Sequence, residues 1–132
     1  MSSLNKTIVV VDYGIVNLKN IVRAIAFVGG NVISSSDPIK VASAPKLVLP
    51  GVGAFGSGMA ELRVSGLDEA VITATLSGTP LLGICLGMQM LLTTSIEHGH
   101  HDGLNLIQGD VVPIPTSGNG SERKVPHIGW NQ

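Results

Sequence analysis

The feature that most constrains this chain is a repeated unit: a short uncharged β-branched or leucine run, a turn, then apolar residues at helical spacing. Ile8-Val9-Val10-Val11 is the first such run. A continuous run without polar alternation marks a strand buried on both faces of a parallel sheet. Asp12-Tyr13-Gly14 turns the chain, Ile15, Leu18, Ile21, Val22 and Ile25 recur at helical spacing, and Gly29-Gly30 closes that helix. Asn31 to Ser34 reads as a second strand, and a loop holding Pro38 and Pro45 leads to a third, Leu47-Val48-Leu49. Pro50 to Gly58 is a glycine-rich turn feeding a helix with Met59, Leu62, Leu67, Val71 and Ala74 on one side, kinked or split at Ser65-Gly66. Leu81 to Ile84 is a fourth strand and Leu86 to Leu92 a third helix. This alternation predicts an α/β fold, an open and mostly parallel sheet with helices on both faces.

After Ser95 the pattern changes. Glu97 to Gly103 is polar, Leu104 to Ile114 reads as strands broken by Gly109 and Pro113, Thr116 to Glu122 is a loop, and an apolar stretch begins at Val125. The length of 132 residues suits one domain. Charged residues make up only 13%, about half the usual share, which excludes a disordered tail or a coiled coil. Eight basic against nine acidic residues leave no basic face for nucleic acid. One cysteine forms no internal disulfide. No apolar segment reaches the ~18 residues of a membrane span, so no membrane partner is expected and a cytoplasmic location is the default.

Gly83-Ile84-Cys85-Leu86-Gly87 carries the strongest chemical signal. It sets a nucleophile between a strand and a helix, the cysteine counterpart of a G-x-S-x-G elbow. The sulfur would stand at the carboxyl end of the sheet, where open α/β folds bind ligands. The helix N-terminus behind it would favour thiolate, and the Leu86 N–H would face a developing oxyanion. The alternative is a small buried apolar cysteine. Gln89, one helical turn on, can face the same pocket.

Gly51-Val52-Gly53-Ala54-Phe55-Gly56 matches G-x-G-x-x-G, the dinucleotide-binding pattern. That reading needs an acidic residue about 20 positions on, but position 74 is Ala. The same glycines would equally bring backbone N–H groups up to a substrate carbonyl. Asp12 reads as a helix N-cap. Glu97-His98-Gly99-His100-His101-Asp102 resembles a ligand cluster but lacks metal-site spacing, so no metal or cofactor is expected.

Gly83 to Gln89, with Leu49 to Phe55 upstream, resembles the class I (triad) glutamine amidotransferases. Asp12-Tyr13-Gly14 with Asn17, and Lys124 to Asn131, narrow the resemblance to the glutaminase subunits of imidazole glycerol phosphate synthase, of histidine biosynthesis. The match runs from Thr7 to the last residue. It implies that Cys85 is the nucleophile, that Leu86 and Gly51-Val52-Gly53 supply oxyanion-hole backbone, and that Gly53 and Gln89 bind glutamine. It also implies a heterodimer with a (β/α)8 cyclase that takes up the released ammonia, with Asn17, His127 and Trp130 near the docking face. Family members add a catalytic His and Glu two residues apart. His98, His100, His101 and His127 do not begin such a pair. Residues 1–132 are therefore expected to be the N-terminal two-thirds of one amidotransferase domain, C-terminally incomplete and inactive alone. A docking remnant without catalysis, or a dinucleotide-binding module, remains the alternative.

Overall fold

The computed structural model describes residues 6–115. In chain order these form β1 (Thr7–Val11), α1 (Leu18–Phe27), β2 (Asn31–Ser35), α2 (Pro38–Ala42), β3 (Lys46–Leu49), α3 (Phe55–Ser65), α4 (Leu67–Leu76), β4 (Leu81–Gly83), α5 (Leu86–Met90), β5 (Leu92–Ser95), β6 (His101–Asp102) and β7 (Ile107–Val111). The first four strands make the expected parallel sheet, in the order β2-β1-β3-β4. Val9 lies opposite Ile33 on one side and Leu47 on the other.

Alternation along these strands divides the apolar residues between two faces. Val9, Val11, Leu47 and Leu49 meet Val41 of α2, Phe55, Met59 and Leu62 of α3, Leu67, Val71 and Ala74 of α4, and Leu86 and Met90 of α5 in one buried cluster. Burying each large apolar side chain there is worth about 1.5–3 kcal/mol, which makes this cluster the main anchor of everything around it. The opposite face, with Ile8, is approached by α1, whose Ile25 comes against Ile8 beside Gly30. Helix α1 buries none of its residues fully.

Several local expectations need correction. The first helix starts at Leu18, not Ile15, because Asn17 adopts a left-handed φ of 68° and extends the turn. Asp12 does not cap that helix; its carboxylate accepts from the Gly14 N–H at 3.1 Å, closing the turn itself. The Pro38–Pro45 segment contains α2, started by Asp37, whose carboxylate accepts from the Ile39 N–H at 2.9 Å, and by Pro38 in the first turn. At Ser65-Gly66 the split, one of the two expected outcomes, is what occurs: Gly66, at φ 74°, ends α3 and opens α4.

The expected third helix is shorter and gives way to a strand at Leu92, where β-branched Thr93 and Thr94 favour extended backbone. That strand opens a second sheet, β6-β5-β7, which the sequence did not announce. Strand β6 comes from the polar Glu97–Gly103 stretch and pairs antiparallel with β5. The Arg63 guanidinium holds it by donating to the Asp102 carbonyl at 2.8 Å. Strand β7 continues through Gly109, but its pairing with β5 is irregular there: Leu92 lies opposite Ile107 and Thr94 opposite Asp110, which leaves one extra residue on β7, with Gly109 at φ 146°.

Candidate functional site

Parallel strands end on a common edge, and here that edge gathers the candidate residues. Tyr13 follows β1, the Pro50–Gly53 loop follows β3, and Cys85 follows β4. The sheet grows in opposite directions from β1, to β2 on one side and β3 on the other, which opens a crevice at the carboxyl ends of β1 and β3.

Cys85 is exposed, with φ 54° and ψ −121°. A non-glycine residue in such a region costs about 1–3 kcal/mol and persists only where its surroundings over-determine it. Those surroundings are visible. The Ile84 N–H donates to the Leu49 carbonyl at 3.0 Å, the Gly87 N–H to the Ile84 carbonyl at 2.9 Å, and the Gln89 N–H to the Cys85 carbonyl at 3.2 Å. The two glycines of the elbow are steric necessities. A methyl group at Gly83 would lie 2.7 Å from the Met88 Cα, and one at Gly87 would collide with the Leu49 carbonyl. Gln89 is half-buried on α5, one turn after the sulfur.

The oxyanion arrangement departs from expectation. The Leu86 N–H donates to the Gly51 carbonyl at 3.2 Å, so the donor expected to face a substrate oxygen is already engaged. The Gly87 N–H is engaged as well. The first amides of the short α5 are thus satisfied by backbone carbonyls rather than by the sulfur.

Sequence reasoning gave Tyr13 no role at the site, reading it as part of a turn and of a family motif. It is a buried aromatic in a chain whose aromatics make up 3%, and its hydroxyl donates to the Pro50 carbonyl at 2.6 Å. Burial, and secondarily the nearby Cys85, push its pKa up to about 12. The phenol therefore stays protonated, and a donor, across ordinary pH.

The glycine loop has mainly internal uses. A methyl group at Gly51 would meet the Tyr13 oxygen, the Gly87 nitrogen and the Leu86 Cβ, and one at Gly56 would lie 2.6 Å from the His101 ring. Only Gly53 faces open space, at φ 100°; Val52 beside it is exposed. Two of the three glycines in the G-x-G-x-x-G match thus serve packing, which removes most of the case for a dinucleotide cradle. Among the described residues no His, Cys, Asp and Glu group could hold a metal. No described helix is long and apolar enough to cross a membrane.

A cleft of about 500 Å³ opens beside the β1–α1 turn, lined by Asp12, Ile15, Asn17, Lys19 and Arg23 among others, and Cys85 does not line it. Asn17 is exposed there. A smaller cleft of about 220 Å³ lies between Tyr13–Val16 and Val52, Ser57 and Glu61. His127 and Trp130 lie outside the described residues.

Residues 9–132 match the family model described as glutamine amidotransferase class-I. The chain is 48% identical, over 93% of its length, to imidazole glycerol phosphate synthase subunit HisH 1 of Legionella pneumophila (strain Paris), covering 58% of that protein. It is 49% identical, over 95% of its length, to subunit HisH of Syntrophotalea carbinolica, covering 62%. The chain thus spans about three-fifths of the length of these curated relatives. In fold it is similar to a putative peptidase E protein from Listeria monocytogenes EGD-e, with a TM-score of 0.64 at 16% identity over 81% of this chain and 66% of that one.

Proposed function

The chain belongs to the class-I glutamine amidotransferase family, and from that premise we propose that residues 1–132 are the nucleophile-bearing N-terminal two-thirds of a glutaminase domain. The substrate is glutamine. The Cys85 sulfur attacks the side-chain carboxamide carbon, an S–C bond forms, and the carbonyl electron pair moves to oxygen. Collapse of that oxyanion breaks the C–N bond and releases ammonia; water then cleaves the thioester to glutamate and restores the thiol. Leu86 and the Gly51-Val52-Gly53 loop supply the N–H groups for the oxyanion once the Gly51 carbonyl withdraws. Gly53 and Gln89 contact the glutamine.

Amide nitrogen leaves poorly unless protonated. Positioned acid–base groups contribute about 10²–10⁴-fold, and these 132 residues contain no His-x-Glu pair. The chain by itself is therefore competent for attack on the carbonyl but not for sustained turnover of glutamine. The partner is the cyclase subunit of imidazole glycerol phosphate synthase, in a heterodimer that receives the ammonia for histidine biosynthesis in the cytoplasm. Asn17 stands on the same sheet edge as Cys85; by the family resemblance Asn17, His127 and Trp130 belong to segments near the docking face.

The observation that carries this reading is the strained, exposed Cys85 elbow set against the Pro50–Gly53 loop at the carboxyl edge of the sheet. A glutamine-shaped chloroketone tests it. Alkylation confined to Cys85, slowed by free glutamine and lost in Cys85→Ala, supports the glutaminase. Alkylation that glutamine does not slow leaves only a docking remnant.

A further inference from the structure

The crevice at the carboxyl ends of β1 and β3 holds a cleft that the chemistry at Cys85 leaves unused. It measures about 220 Å³ and lies between Tyr13–Val16 of the β1–α1 turn and Val52, Ser57 and Glu61. Sites for small molecules usually measure about 300–1,000 Å³, so this one suits a single long side chain rather than a free metabolite. Its walls are apolar, from Ile15, Val16 and Val52, the last two exposed. The Tyr13 hydroxyl is taken up by the Pro50 carbonyl. Ser57 and Glu61 are one turn apart on α3, so the hydroxyl and the carboxylate share a face. Glu61 is the one charged group among the described residues lining this cleft.

The neighbouring cleft of about 500 Å³ shares Ile15 and carries the opposite charge, with Lys19 and Arg23 against Asp12 alone. The Asp12 carboxylate already accepts from the Gly14 N–H. The sheet edge is therefore anionic on the α3 side of the β1–α1 turn and cationic on its α1 side. A protein that closes over this edge strips water from Glu61. An apolar or acidic group seated there would leave the carboxylate buried and unpaired. An arginine meets both demands: its stem lies along Ile15, Val16 and Val52, and its guanidinium donates to the Glu61 carboxylate and the Ser57 hydroxyl.

We infer that this cleft is the socket for an arginine side chain of the docking subunit, and that its pairing with Glu61 fixes which way round the partner sits. Opposite charges on the two sides of the turn make the rotated arrangement repulsive, which is how charge patterns give orientation and specificity. The inference rests on the cyclase partner proposed above and adds the contact and its chemistry.

The test is calorimetric titration of the full chain with the purified cyclase subunit. It compares the native chain with Glu61→Gln, Glu61→Lys and a control, Glu69→Lys, on α4 and outside both clefts. A thermal melt confirms that each sample is folded. Glu61→Gln should weaken binding about ten-fold or more and Glu61→Lys about ten-fold further, while Glu69→Lys stays within about two-fold. Phenylglyoxal, which modifies guanidinium groups, supplies the second readout. Mass spectrometry should find an arginine of the cyclase protected by the native chain and not by Glu61→Gln, each at saturation. Equal affinities of the native chain and Glu61→Lys overturn the socket, and so does an unchanged set of protected arginines. No binding by the native chain removes the cyclase partner and the socket with it. Weakening by Glu61→Lys without any glutamyl group trapped on Cys85 upholds the socket and removes the glutaminase chemistry.

Discussion

The Leu86 amide donates to the Gly51 carbonyl at 3.2 Å, directly beside the elbow cysteine in the chain. This contact ties the loop after β3 to the start of α5 and depends on Gly51 having no side chain. Gly51→Ala should place a methyl group against Leu86, Gly87 and the Tyr13 oxygen, costing about 1–3 kcal/mol. A urea titration reads this as a lower midpoint. An unchanged midpoint would mean that the loop is not seated as described.

Gly87 and Gly53 should separate two reasons for glycine. Alanine at Gly87 collides with the Leu49 carbonyl, a backbone atom at the centre of the sheet edge, whereas alanine at Gly53 meets nothing within 4 Å and suffers only the strain of φ 100°. That strain is worth roughly 1–2 kcal/mol. Gly87→Ala should therefore be the more destabilising of the two in the same urea titration. The reverse order would contradict the packing of the elbow.

Tyr13 makes a prediction at high pH. Its pKa rises from 10.0 in the unfolded chain to about 12 in the fold, because burial, and less so Cys85, disfavours the phenolate. The neutral phenol thus contributes stability that is complete below pH 10 and is lost as pH rises toward 12. Subtracting the stability of Tyr13→Phe isolates this contribution from the lysines that titrate nearby. The difference should fall between pH 10 and pH 12, and a flat difference would contradict the assignment.

Strand β4 pairs only with β3 among the described residues. Its Leu82 is 58% exposed, with Ile84 and Met88 also exposed close by in the chain. An unpaired edge with apolar side chains invites association. Sedimentation velocity of the isolated chain should show concentration-dependent association that Leu82→Lys reduces. A monomer at every concentration would contradict this.

The parallel sheet was legible because its signal is local: unbroken runs such as Ile8–Val11 have few other uses. The elbow was legible for the same reason, since Gly83 and Gly87 sit where only glycine avoids the Met88 and Leu49 backbones. What escaped was set by contacts distant in sequence. The strand at His101–Asp102 exists because β5 and Arg63 supply partners for a polar segment. The engaged state of the Leu86 amide depends on a carbonyl 35 residues earlier, counting 86 − 51. Tyr13 looks like an ordinary turn residue until its hydroxyl is seen on Pro50, 37 positions away.

The central claim is that the Cys85 sulfur is aimed at the side-chain carbonyl of a glutamyl group. Trapping the acyl intermediate tests it directly: the chain is mixed with an activated glutamyl ester, quenched in acid and digested for mass spectrometry. The account predicts one glutamyl group on the Cys85 peptide, formed in preference to acetyl from the matching acetyl ester, released by hydroxylamine and absent from Cys85→Ala. A glutamyl label scattered over lysines, or equal labelling of Cys85 by the acetyl ester, would contradict it.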